Sequence, residues 1–199
     1  AEYVMHVIKG RTGNYIAFFP SYRFLEKVWE VFMKLPQEQI EVVVQSQYMT
    51  EQEREEFLKK FEQERAHSLI GFCVMGGVFS EGIDLTEDKL IGAMIIGTGL
   101  PQVCLERELL KYYFDRKNLN GFDYAYLYPG MNKVLQSAGR VIRTDQDRGV
   151  ITLLDDRFMD RQCQEVFPRE WNDFQICNSE NIEEKIAKFW KAEEQTDTK

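Results

Sequence analysis

No apolar run in the 199-residue chain is long enough to cross a bilayer. The longest uncharged stretches, residues 69–79 and 90–101, fall well short of the roughly 20 residues a spanning helix needs. A secretory leader pattern is missing at the N-terminus, so the expected location is cytoplasmic and no membrane partner is expected. Histidine is scarce, with isolated His6 and His67. The four cysteines, Cys73, Cys104, Cys163 and Cys177, form no C-x2-C pair and have no ligand-like neighbours. Buried free thiols in a reducing compartment are therefore expected, and no metal site within the chain. Positive charge is also in deficit, since 25 Lys and Arg face 33 Asp and Glu for a net charge of −8. A wholly electrostatic nucleic-acid binder would be basic, so any grip on DNA must be local and modest. Internal repeats and low-complexity linkers are absent as well.

What is present reads as one globular domain spanning residues 1–199, with 44% hydrophobic residues to supply a core. Apolar strand-like runs alternate with helical patterns. Strands are predicted over residues 15–19, 41–45, 68–74, 90–96 and 149–154. After the first, Leu25, Val28, Trp29, Phe32 and Leu35 fall on one helical face. Thr50 and Glu53 make a capping-box signature for a helix running to about Glu64. A tail helix over about 181–191 is capped by Asn181 and shows Ile182, Ile186, Phe189 and Trp190 on one face, before a polar end. Continuous apolar strands between helices imply a parallel α/β sheet covered on both faces. In such sheets functional loops follow the carboxyl ends of strands, here residues 20–22, 76–84 and 97–101.

Three segments carry possible chemistry. The first is Gln136-Ser-Ala-Gly139-Arg140-Val-Ile-Arg143. On a continuous helix, Gln136, Gly139, Arg140 and Arg143 share one face, which suits a polyanion pressed against it. Arginines so placed can stabilise charge on a transferred phosphoryl group. The same spacing fits a solvated face with surface ion pairs. The second segment, residues 77–85, places Ser80, Glu81, Gly82 and Asp84 after a buried strand. Asp84 can accept bonds from an arginine or a ribose hydroxyl, and a plain turn with a capping acid fits equally. The third, residues 18–22, ends the first strand with Ser21 and Tyr22. It reads as a phosphate cradle with a stacking ring, or as an N-cap with core aromatics. Gly97-Thr-Gly99 lacks the spacing of a dinucleotide site and reads as a strand-end turn.

In order and context, "FFPSY", "FSEGIDL" and "QSAGRVIR…DRGVITLLDDRF" resemble motifs IV, V and VI of superfamily 2 helicases. The XPD/DinG branch is the specific likeness. Leu100-Pro101 and the Phe167-Pro168-Arg-Glu-Trp171 stretch belong to it, and it spans about residues 13–171. The resemblance implies a RecA-like parallel α/β fold of the P-loop NTPase class, serving as the second motor domain of an ATP-dependent DNA helicase. It implies that Arg143, Arg140 and Gln136 reach the ATP phosphates, with Arg143 as the arginine finger. Glu81, Gly82, Asp84 and Gly139 would line the nucleotide side. Ser21, Tyr22 and the Phe79–Ser80 edge would hold single-stranded DNA.

The chain departs from a complete motor. No G-x-x-x-x-G-K-[S/T] loop and no D-E-A-H-like box occurs in it. ATP and Mg2+ would then be bound mainly by an N-terminal motor domain of the same protein, with this chain as a piece of a longer one that is inactive alone. An iron–sulfur cluster, known in parts of the family, would belong to that first domain and not to these cysteines. A non-hydrolysing nucleotide- or nucleic-acid-binding module and a scaffold with a motor-like fold remain as alternatives.

Overall fold

The computed structural model describes residues 1–36, 39–81, 89–142 and 147–196. Five parallel strands, β1 (Asn14–Phe19), β2 (Ile40–Val44), β3 (Ser68–Val74), β4 (Gly92–Ile96) and β5 (Val150–Leu154), form one sheet in the order β2-β3-β1-β4-β5. Ala17 on the central strand faces Phe72 on one side and Met94 on the other. All five strands occur where the apolar runs predict them, and β3 has the predicted ends.

Side chains alternate across the sheet as the period of two requires. Ile16, Phe18, Leu69, Cys73, Ala93 and Ile95 enter one core, under α3 (Glu51–Glu62), α4 (Val78–Glu81) and α6 (Tyr128–Ala138). Tyr15, Ala17, Phe19, Ile70, Phe72 and Met94 enter the other, under α1 (Glu2–Lys9), α2 (Tyr22–Phe32) and α8 (Ile182–Thr196). Burial of each large side chain in these layers contributes roughly 1.5–3 kcal/mol. The capping box closes as expected: Glu53 N–H donates to Thr50 Oγ1 at 3.3 Å and Thr50 N–H donates to Glu53 Oε2 at 2.6 Å. The helix it starts stops two residues short of Glu64, at Glu62.

Several expectations need correction. Trp29 is exposed, because α2 turns Leu25 and Phe32 to the sheet and leaves Trp29 at the margin of that stripe. Phe189 is exposed for the same reason, while Ile182, Ile186 and Trp190 are buried. Asn181 stands before α8, and its carboxamide oxygen accepts from Asn178 N–H at 2.9 Å. Cys104 is exposed and Cys177 half-buried, so only Cys73 and Cys163 fit the expectation of buried thiols. Helix α1, helix α5 (Leu105–Asp115), helix α7 (Arg161–Gln164) and a π-helical segment (Asp123–Leu127) run into α6 or flank the sheet without a sequence prediction. No described helix is long and apolar enough to cross a membrane.

Candidate functional site

The carboxyl ends of β1, β3 and β4 bring the candidate segments to one edge. Ser21 caps α2 with extended backbone, and its hydroxyl accepts from Phe24 N–H at 3.3 Å. Tyr22 opens the helix, and its hydroxyl accepts from Gln45 Nε2 at 2.9 Å. Gln45 is buried just past β2, and its Oε1 accepts from Val74 N–H at 2.8 Å at the end of β3. One carboxamide therefore joins the ends of two strands to the Tyr22 ring. Sequence reasoning took Gln45 as a strand residue; a polar side chain closing a run of valines was the available signal.

The loops after the strands crowd together. A Cβ at Gly97 would lie 3.6 Å from Pro20 Cγ and 3.8 Å from Asp155 Oδ2. Gly99 has φ +64°, and a Cβ there would lie 2.9 Å from the Gly130 carbonyl oxygen. A Cβ at Gly130 would in turn meet the Thr98 carbonyl oxygen at 2.7 Å. The turn read from Gly97-Thr-Gly99 is thus present, and its second glycine with Gly130 lets α6 press its backbone onto the turn. Asp155, at the end of β5, takes Arg157 Nε at 2.8 Å and a second guanidinium nitrogen at 2.7 Å. That bidentate bond holds the Asp155 carboxyl below the usual carboxylate range.

The arginine stripe is not one helix. Helix α6 ends at Ala138, with Gly139 as its C-cap. Arg140 N–H then donates to Ser137 O at 3.3 Å and Val141 N–H to Ala138 O at 3.2 Å. The chain tightens into three-residue turns because the last carbonyls of a helix lack partners within it. Gln136 is exposed on α6 and Gly139 is exposed at its end. Arg140 is half-buried, and its Nε donates to the Ser80 carbonyl oxygen at 2.9 Å. That bond joins the motif V-like and motif VI-like segments. Arg143, Gly82 and Asp84 lie outside the described residues, and Glu81 is placed only as the last backbone position of α4.

The Phe79–Ser80 edge is corrected. Phe79 is 1% exposed and stacks on Phe57 with ring centroids 4.3 Å apart. Ser80 is 0% exposed, and its hydroxyl donates to Gly77 O at 2.8 Å. Short helix α4 turns both side chains into the core, so neither is a surface contact. Among the described residues, no group of three His, Cys, Asp or Glu side chains could hold a metal ion.

A mostly apolar groove runs along β5, between the strand, residues 167–177 and α8. Among the described candidate residues, only Gly139 reaches its wall.

Residues 4–174 match the family model described as the helicase C-terminal domain. A regulator of telomere elongation helicase 1 homolog from Caenorhabditis briggsae is 32% identical over 136 residues, covering 63% of this chain and 14% of the relative. The ATP-dependent DNA helicase DinG of Photobacterium profundum is 30% identical over 158 residues, covering 78% of this chain and 22% of the relative. This chain thus spans less than a quarter of the length of either. A solved XPD helicase structure superposes with a TM-score of 0.61 at 21% identity, covering 82% of this chain and 29% of that one. The five-stranded parallel sheet is therefore the RecA-like fold, and the chain belongs to the helicase C-terminal domain family in its XPD/DinG-like form.

Proposed function

We propose that this chain is the second motor domain of an ATP-dependent DNA helicase, presenting Arg140, Arg143 and Gln136 to a nucleotide held mainly by a first motor domain. The observation that carries the reading is the bond from Arg140 Nε to the Ser80 carbonyl oxygen, which links the two motor-motif segments at the carboxyl edge of the sheet. A guanidinium anchored through Nε keeps a planar, permanent charge in a set place, as stabilisation of a phosphoryl transition state requires.

The residues suit one wall of an ATP site and not a whole one. Arg140 and exposed Gln136 offer donors to phosphate oxygens. A lysine-bearing phosphate loop is absent from the sequence, and no described acidic cluster suits Mg2+. ATP, when bound, supplies the free energy of its hydrolysis. The part of this chain is to neutralise charge and to transmit the state of the cleft through Ser80 to β3. Glu81, Gly82, Asp84 and Gly139 are assigned to the nucleotide side of this coupling. Ser21 and Tyr22 remain as single-strand contacts, with Tyr22 steadied by Gln45.

Steady-state phosphate release tests the reading. The full-length protein should hydrolyse ATP in a DNA-stimulated manner, and this chain alone should show none. Turnover by the isolated chain that Arg143→Ala abolishes would overturn the division of labour. A full-length protein without ATPase activity would favour the scaffold alternative.

A further inference from the structure

Helix α5 is amphipathic in sequence, yet none of its eleven residues is buried. Its C-terminal half carries an aromatic row that continues into the next two elements. Tyr113 meets Phe114 edge-on at 5.3 Å, Phe114 stacks on Tyr124 at 4.1 Å, and Tyr124 meets Tyr128 edge-on at 5.2 Å. The row thus runs from α5 through the π-helical segment to the start of α6, the helix that leads to Gln136 and Arg140. Tyr112 is 61% exposed and Tyr113 54% exposed, far more than aromatic rings in a structural role. Tyr124 and Tyr128 are exposed as well.

The charges beside the rings are mostly positive, in a chain whose net charge is −8. Arg116 lies over the Tyr112 ring at 5.8 Å and Lys117 over the Tyr113 ring at 5.5 Å. Lys111 immediately precedes Tyr112 on the helix. The nearby carboxylates are engaged by donors of the fold: Asp115 accepts from Gly121 N–H at 2.8 Å, and Glu108 from the Tyr126 hydroxyl at 2.6 Å. Asp123 and Glu165 bear on the Tyr128 end of the row, so the cation-rich end is the one at Tyr112 and Tyr113.

We infer that Tyr112 and Tyr113, with Arg116, Lys117 and Lys111, form a base-stacking platform for single-stranded DNA, and that the row from Phe114 to Tyr128 supports it. Every base has a face that stacks on a tyrosine, and the cations beside the rings meet the phosphates between bases. The inference rests on the helicase reading above and extends it, since it assigns DNA to α5 in addition to Ser21 and Tyr22. The exposed aliphatic end of the same helix, with Leu105 and Leu109, makes protein docking the competing use of this face.

The test uses the full-length protein, a fluorescent oligothymidylate and an abasic strand of equal length, followed by anisotropy at fixed salt. Tyr112→Ala/Tyr113→Ala should weaken binding to oligothymidylate by about tenfold or more, and leave the abasic strand nearly unaffected. Tyr112→Phe/Tyr113→Phe should bind as the unmodified protein does. A photocrosslink from 5-iodouracil DNA to either tyrosine, mapped by mass spectrometry, reads the same contact without a variant. Equal losses on both strands, or none on either together with no crosslink, overturn the platform. Unchanged DNA binding combined with a loss of basal ATPase assigns the face to protein docking and also overturns it. If the unmodified protein binds oligothymidylate but the alanine variant binds equally well, the platform alone is wrong. If the unmodified protein binds no DNA, the helicase reading fails and the platform fails with it.

Discussion

Arg140 reaches across sixty positions of sequence to the Ser80 carbonyl oxygen, 2.9 Å from its Nε, and so ties the end of α6 to α4. A hydrogen bond from a charged donor contributes roughly 1.5–3 kcal/mol when partly buried, so the contact has both a structural and a functional readout. Arg140→Ala should lower the melting temperature of the domain by about 2–4 °C per kcal/mol lost. In the full-length protein, if the guanidinium meets transition-state charge as proposed, it should also lower kcat for ATP far more than it raises KM. Normal kcat with a lowered melting temperature would make Arg140 a structural clasp only.

Arg143→Ala in the full-length protein should lower kcat on the order of 10^3-fold, and Arg143→Lys should restore little of it, since a point charge does not reproduce the planar fork. The Arg140→Ala/Arg143→Ala protein should fall far short of the product of the two single effects if both act on the same phosphoryl group. A kcat and KM series with melting controls decides. Multiplicative losses would separate the two residues.

Gln45 holds Tyr22 and the end of β3 with one carboxamide. Gln45→Leu removes both bonds and strands the Val74 N–H, at a cost of roughly 1–3 kcal/mol, while Tyr22→Phe should cost about 1 kcal/mol. Urea unfolding of the two single variants and the double variant gives the coupling between them. A coupling near zero would mean that the Gln45–Tyr22 bond contributes nothing.

Gly130→Ala places a methyl group 2.7 Å from the Thr98 carbonyl oxygen and 3.1 Å from the Leu100 backbone nitrogen. Backbone cannot swing aside as a flexible side chain does, so overpacking should destabilise the domain by about 1–3 kcal/mol or more. Ala125→Gly, a change in the opposite direction on the preceding segment, serves as a size control. An unaltered denaturation midpoint for Gly130→Ala would show that α6 does not pack against the Gly97–Gly99 turn this closely.

Asp155 sets a pH dependence. The Arg157 guanidinium depresses its folded-state pKa, so its contribution to stability is fully present above the ordinary carboxylate value, about 3.9, and is lost as pH falls through the lower folded value. The difference in melting temperature between the unmodified chain and Asp155→Asn should therefore be constant above about pH 5 and narrow below about pH 4. A gap that widens in acid would contradict the assignment.

Strand periodicity and turn chemistry are local properties, and they were legible. Ser68–Val74 is a strand because a run of seven apolar or small residues, six of them buried, is covered on both faces, and the Thr50–Glu53 capping box forms because its partners are three residues apart. The family and the parallel sheet followed from the sequence as well. Tertiary structure decided what depends on distant partners. Helix α6 stops at Ala138, and Arg140 turns to a carbonyl on α4 that no spacing rule reveals. Phe79 and Ser80 sit next to exposed-looking polar residues in sequence, yet α4 packs them against Phe57 and Gly77. Gln45 looked like the end of a strand until β3 and Tyr22 met across it. Local pattern fixes which way a segment winds, because the backbone repeats within a few residues. Which face is covered and which donor meets which acceptor waits for the chain to close on itself.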